Sequence, residues 1–170
     1  MVIRKLTLDD ASAYRQLRVD MCRDHPEAFS QTPEEAAEMS LEKFLQWMCP
    51  RDVFPQNFIL GAFDGDRLIG SAGLRREDNA KERHRAWVWA VYVRPEGRGK
   101  GVSRQLMQTM IDEARKWEGL EMLDLDVSVT QTGARTLYTS LGFFTTGLVL
   151  HGYKLPDGRY VDFEKMILWL

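Results

Sequence analysis

Apolar positions follow two rhythms along the chain, one of three to four residues and one of two. Leu8, Ala11, Tyr14, Leu17 and Met21 recur every three or four residues, the spacing of a helix with one buried face. Val2 to Leu6 before it reads as a short strand. Thr7-Leu8-Asp9-Asp10 has the spacing of a capping box, with Asp a weaker third-position partner than Glu. His25-Pro26 ends the helix, because proline restricts the residue before it and cannot continue a helix. Thr32-Pro33-Glu34-Glu35 is a helix start: Thr32 caps, Pro33 suits the first helical position and Glu35 closes the box. Ser40 continues the same segment, with Leu41, Phe44, Leu45 and Met48 on one face and Pro50 as the stop.

From Asn57 the texture becomes that of strands. Asn57 to Phe63 and Arg67 to Arg75 flank the turn signal Asp64-Gly65-Asp66. A charged loop, Arg76 to His84, separates them from a Val- and Trp-rich strand, Arg85 to Val93. After a glycine-rich stretch, Val102, Leu106, Met107, Met110, Ile111, Ala114 and Trp117 mark a long helix. Leu120 to Ser128 reads as a strand, Gly133 to Leu141 as a short helix ended by Gly142, and Phe144 to Tyr153 and Arg159 to Leu170 as two strands around Pro156-Asp157-Gly158. The predicted order is β-α-α-β-β-β-α-β-α-β-β. Hairpins mixed with crossover helices predict an α/β sandwich on a mixed, mainly antiparallel sheet. Neither repeat nor linker interrupts it, so residues 1–170 are read as one domain.

Composition narrows the function. Twenty-three basic against twenty-five acidic residues give a net charge of −2, which argues against nucleic acid as the partner. No apolar run approaches the roughly 20 residues of a membrane span, and Met1 to Leu6 has no signal core. Cys22 and Cys49 lack ligand-type spacing, and His25, His84 and His151 are scattered, so neither a disulfide framework nor a metal site is expected. The expected compartment is the cytoplasm. Arg75, Arg76, Lys81, Arg83 and Arg85 form a basic cluster interleaved with acids, which reads as a solvated hairpin connection. The tryptophans sit in apolar stretches and are read as core.

One segment carries chemistry. The strand Ala90-Val91-Tyr92-Val93 runs into Arg98-Gly99-Lys100-Gly101-Val102-Ser103 and then into the Leu106 helix. Backbone N–H groups at a helix start carry partial positive charge, and glycines remove the Cβ atoms that keep an anion from the backbone. Arg98 and Lys100 add full charges, and the whole suits a phosphate or diphosphate. A P-loop would place Lys-Ser/Thr directly after the last glycine, where Val102-Ser103 stands. Gly97-Arg98-Gly99-Lys100-Gly101 does not have the dinucleotide G-x-G-x-x-G spacing. A coenzyme A diphosphate loop and a plain basic turn capping a helix both remain.

Further residues add a resemblance. Val93-Arg94-Pro95, Arg98 to Ser103, Gln131-Thr132-Gly133-Ala134-Arg135-Thr136-Leu137-Tyr138 and Leu141-Gly142-Phe143 resemble the GCN5-related N-acetyltransferase (GNAT) superfamily. Its loop is Arg/Gln-x-x-Gly-x-Gly/Ala, matched by Arg98, Gly101 and Ser103. Its later segment, Asn-x-x-Ala-x-x-Leu-Tyr then Leu-Gly-Phe, is matched by Ala134, Leu137, Tyr138, Gly142 and Phe143. Ser103 stands where Gly or Ala is usual, and Gln131 where Asn is common.

The resemblance implies a sheet of about seven strands flanked by about four helices, with splayed central strands. It implies transfer of the acetyl group of acetyl-CoA to a primary amine of a small molecule or peptide, by direct attack and without a metal. A non-catalytic acyl-CoA-binding module with the same fold is the alternative. The coenzyme would meet Val91, Tyr92, Val93, the loop Arg98, Gly99, Lys100, Gly101, Val102, Ser103, and Gln131. Tyr138 aligns with the tyrosine that protonates the departing thiolate. Arg85 stands where some members place a basic glutamate, which leaves His84 and Asp126 as candidate bases. The acceptor would lie between Asp24–Thr32 and His151–Tyr160, with Glu27, Phe29 and Tyr153 as candidate contacts. A homodimer through edge strands or the C-terminal hairpin is compatible with it.

Overall fold

The computed structural model describes residues 1–48 and 51–170. Expectations placed on Cys49, on Pro50 and on the Leu41 and Trp47 side chains lie outside the described residues. Strand β1 (Val2–Lys5) passes through a 3₁₀ turn into helix α1 (Ala11–Asp24). At that turn the Thr7 N–H donates to Asp10 Oδ2 at 2.8 Å, and Arg4 binds the Asp10 carboxylate with two 2.7 Å hydrogen bonds.

Helices α2 (Pro33–Glu38) and α3 (Leu41–Met48) follow. This corrects the single helix expected from Thr32 onward. Met39 adopts φ −54° and ψ 130°, which breaks the first helix, and the Ser40 carbonyl accepts from the Phe44 N–H to begin the second. The described residues therefore hold five α-helices rather than about four. The capping box at Thr32 forms as the sequence predicts, with the Glu35 N–H on Thr32 Oγ1 and the Thr32 N–H on Glu35 Oε2.

The remaining elements are β2 (Asn57–Asp64), β3 (Arg67–Arg76), β4 (Arg85–Val93), α4 (Val102–Ala114), β5 (Met122–Ser128), α5 (Thr132–Ser140), β6 (Phe144–Lys154) and β7 (Tyr160–Trp169). They make a seven-stranded sheet in the order β1-β2-β3-β4-β5-β7-β6, antiparallel except for β4 beside β5. Side-chain alternation divides the core between the two faces. Helix α4 buries Leu106, Met107, Met110 and Ile111 against Leu60, Leu74, Val88 and Leu125 on one face. Helix α1 buries Tyr14, Leu17 and Met21 against Ile59, Phe63 and Tyr92 on the other. Each such side chain, fully buried, contributes about 1.5–3 kcal/mol of transfer free energy.

Two irregularities in β4 shape the site. Its parallel pairing with β5 covers only Arg85–Trp87 against Met122–Asp124, and beyond Trp87 the strands part. On its other edge Gly73 pairs with Trp89 but Ser71 pairs with Tyr92, so β4 carries an extra residue there. This is a β-bulge, which bends and twists a strand. Ala90 takes φ 51° within it, a left-handed conformation that costs a non-glycine residue roughly 1 kcal/mol or more. The fully buried Ser71 hydroxyl donates to the Ala90 carbonyl at 2.8 Å and holds the bulge.

Candidate functional site

The opening between β4 and β5 is the centre of a cavity of about 610 Å³ that reaches both faces of the sheet. Its walls are β4 from Trp87 to Val93, the loop from Gly97 to Arg104, β5 from Leu125 to Ser128, the inner side of α5, and the chain after α1.

On the α4 face the glycine loop has the geometry that an anion needs. Gly99 and Gly101 hold φ 73° and 75°, and a Cβ built on either meets nothing within 4 Å. The loop thus needs glycine for its backbone conformation and leaves open space in front of it, so the residues present fit a coenzyme diphosphate. Gly97 differs: a Cβ there would stand 2.9 Å from Val93 Cγ1, so it serves packing. The first intrahelical bond of α4 runs from the Gln105 N–H to the Gly101 carbonyl. The N–H groups of Val102, Ser103 and Arg104 precede that bond and mark the positive end of the helix. The loop's own side chains do less than the sequence suggests. Arg98 turns back, donating from Nε to the Val93 carbonyl at 3.0 Å and approaching His25 Nε2 at 3.0 Å. Lys100 is exposed and outside the cavity wall.

Tyr138 lies deep in the wall on the same face, 6% exposed, with its ring packed against Phe143. Burial pushes its phenol well above the usual value near 10, so it is neutral at physiological pH. Helix α5 brings Ala134, Leu137 and Tyr138 to the cavity from i, i+3 and i+4 positions. Val91, Tyr92 and Val93 line the cavity too, although the Tyr92 hydroxyl faces away and donates to Asp24 Oδ2 at 2.6 Å.

On the α1 face the wall holds Arg18, Phe29, Ser30, Trp87, Trp89, Asp126 and Tyr153. The Trp87 and Trp89 rings lie nearly parallel, 16° apart with centroids at 6.4 Å. Asp126 meets Lys165 Nζ at 3.2 Å across the β5–β7 ladder. Burial raises the Tyr153 phenol, and a hydrogen bond with Ser30 opposes that rise.

Several expectations change. His84 lies at the opposite end of β4 and outside the cavity; five residues of strand, a span of about 20 Å, separate it from Ala90. It is not positioned as a base. Asp124 is ion-paired with Arg85, so the arginine that stands where some members place a glutamate is a structural partner. Glu27 faces a second, smaller hollow rather than the main cavity, and its carboxylate accepts from Gln131. Gln131 lines the main cavity, but its amide reaches Glu27 and His25 Nδ1, tying the chain after α1 to the start of α5. The basic cluster is structural in part: Arg76 is buried and donates to the Arg83 carbonyl at 2.6 Å.

Sequence reasoning passed over Arg18, Ser71 and the Ala90 bulge. Arg18 sits in the α1 helical stripe next to Leu17, which the three-to-four rhythm does not single out. A single alanine with positive φ leaves no sequence mark. Among the described residues no group of His, Cys, Asp and Glu is arranged to hold a metal ion, and no helix is long and apolar enough to cross a membrane.

A mixed sheet parted beside a glycine loop at a helix N-terminus is the frame of this site. Residues 14–143 match the model of the acetyltransferase (GNAT) family, and the chain belongs to that family. Acetyl-CoA is the acyl donor of GNAT acetyltransferases. The chain is 31% identical over 101 residues to N-alpha-acetyltransferase RimI of Mycobacterium tuberculosis, covering 59% of this chain and 61% of that protein, less than two thirds of its length. A GCN5-related N-acetyltransferase from Kribbella flavida superposes with TM-score 0.82 at 29% identity, over 99% of this chain and 97% of that one. The Salmonella typhimurium protein yncA, solved with its cofactor acetyl-CoA, shares the fold with TM-score 0.78 at 22% identity, over 100% of this chain and 94% of that one.

Proposed function

We propose that this chain transfers the acetyl group of acetyl-CoA directly to a primary amine of a small molecule or peptide. The observation that carries the reading is the continuity of the cavity, from the open glycine loop on one face, through the parted strands, to a polar pocket on the other. The loop amides from Gly99 to Ser103 bind the diphosphate, with the α4 N-terminus supplying most of the positive potential. The pantetheine arm runs along β4, where the strand edge facing β5 has lost its ladder partner beyond Trp87. Backbone N–H groups there are available to the thioester oxygen as negative charge develops on it.

The amine approaches from the α1 face. As an ammonium it has no lone pair, so it must first lose a proton. Asp126 is the carboxylate in the cavity wall; paired on one oxygen with Lys165 at 3.2 Å, it takes that proton on the other, directly or through water. The nitrogen then bonds to the thioester carbon and gives up its second proton to solvent as the carbon–sulfur bond breaks; Tyr138 on the opposite face passes its phenolic proton to the departing thiolate and regains one from solvent. The base and the acid thus stand on opposite sides of the sheet, joined only through the opening. The non-catalytic alternative shares the loop but not this division of labour. Thiol release from acetyl-CoA, measured against a broad panel of amines and amino-terminal peptides, tests the proposal. Tight coenzyme binding with no amine-dependent release would favour the non-catalytic module.

A further inference from the structure

We infer that Lys165 is an acetyl acceptor within the protein itself: its side-chain amine takes the acetyl group of acetyl-CoA bound in the same chain. The inference rests on the transfer reading above and adds a modification site on the protein's own surface.

Lys165 of β7 stands directly opposite Asp126 of β5, and its Nζ lies 3.2 Å from Asp126 Oδ1. Among the described residues, Asp126 is the one carboxylate of the cavity wall. It lies two residues past Asp124, the last residue of β5 paired to β4, so it borders the opening between the parted strands. Phe163, two residues before Lys165 and therefore on the same face of β7, lines the cavity as well. The amine is thus anchored at the rim of the acceptor pocket, against the group that serves as base in that reading.

Little holds it there. Among the described residues no second hydrogen bond or ion pair reaches Lys165 Nζ. Its neighbour on β6 is Gly147, where even a Cβ would meet nothing within 4 Å. The side chain is 54% exposed. An exposed pair is held weakly, and a flexible four-carbon stem lets the amine swing from Asp126 toward the opening.

The step balances with the groups already placed. The Lys165 ammonium hands one proton to Asp126, which releases it to solvent. The amine bonds to the thioester carbon and loses its second proton to solvent as the carbon–sulfur bond breaks. Tyr138 protonates the thiolate and regains a proton from solvent. The products are an acetyl-lysine amide and free coenzyme A thiol, with one proton released overall. The amide carries no charge, so the modification also dissolves the pair with Asp126.

The test follows each lysine by peptide mass spectrometry, in the intact protein at saturating acetyl-CoA with no added amine. Lys116 is the internal control. It too pairs with a carboxylate, Glu113, and at 67% it is more exposed, but it lies outside the cavity wall. Uncatalysed acetylation follows exposure and would favour Lys116. The expected result is that Lys165 gains acetyl at least about 100-fold faster than Lys116, at a rate per molecule that does not change when the protein is diluted. Asp126→Asn is expected to slow Lys165 by about 10²-fold. Lys165→Arg keeps the charge and is expected to leave no fast site. The wild-type comparison stands even if neither variant folds. Amine-dependent thiol release with Lys165 acetylated no faster than Lys116 keeps the transfer reading and overturns the inference. Fast acetylation of Lys165 without turnover of any external amine keeps the inference and removes the external acceptor. A rate that rises with protein concentration places the reaction between molecules and overturns the inference.

Discussion

Replacing Tyr138 with phenylalanine removes one oxygen from the wall and little else. The ring is buried and packs on Phe143 with centroids 5.9 Å apart, a contact that phenylalanine keeps. The melting temperature should therefore move by no more than about 4 °C, the shift of roughly 1 kcal/mol in a chain of this length. The chemical step should suffer far more. A positioned general acid is worth about 10²- to 10⁴-fold, or roughly 2.7–5.5 kcal/mol of barrier. Burial makes this phenol a weaker acid than usual, because its ionised form is poorly solvated. Its donation becomes favourable only as charge builds on sulfur, so the lower half of that range, about 10²- to 10³-fold in kcat, is expected. The direction of the shift also fixes the pH behaviour. With the phenol raised, Tyr138 stays protonated through the ordinary value, and no loss of rate from its ionisation is expected below about pH 10. The assay is kcat at saturation in both substrates, with acetyl-CoA affinity measured separately and unchanged. A thioester of a more acidic thiol, which leaves without help, should restore most of the rate. A Tyr138→Phe enzyme within threefold of wild type, or one equally slow with the better leaving group, would refute the assignment.

Other perturbations probe other parts of the structure. Gly101→Ala places a Cβ at φ 75° in front of the loop, and Gly65→Ala makes the same kind of change at φ 57° in the β2–β3 turn. Both should lose roughly 1–2 kcal/mol of stability in melts, while only the first should weaken acetyl-CoA by about tenfold or more. Asp126→Asn should lower kcat/KM by about 10²-fold or more across amines, with the coenzyme affinity intact. Asp10→Asn should cost about 1 kcal/mol at pH 7, since Arg4 on one side remains partly exposed. Hydrogen bonds from Arg4 hold the Asp10 carboxyl below its usual value, so its stabilisation is present above about pH 4 and disappears as pH falls through the lowered value. Melts of the two proteins should accordingly converge in acid.

Much of the fold was legible because short-range signals and burial agree. The Thr32 box, the Asp64-Gly65-Asp66 turn and the apolar stripe of α4 each follow from local chemistry, and each forms where the sequence predicts. The break at Met39 escaped because the apolar stripe continues through it, and a periodic pattern does not report a change of axis. In the site, the glycine loop and Tyr138 carry motifs, whereas Arg18 is one polar residue in a helix. It joins the cavity wall with Trp89, which lies far along the chain and is brought beneath it by the sheet. His25 and Gln131 meet across 106 residues for the same reason. Ala90 depends on Ser71, and that pairing is set by strand register rather than residue type. Contacts decided by register and layer packing leave no local trace in a single sequence.

The most direct measurement is a crystal structure of the protein with acetyl-CoA bound. The expected density sets diphosphate oxygens about 3 Å from the amide nitrogens between Gly99 and Ser103, with the sulfur in the β4–β5 opening facing Tyr138. Diphosphate density away from the α4 N-terminus, or a sulfur on the far side of β6, would contradict it.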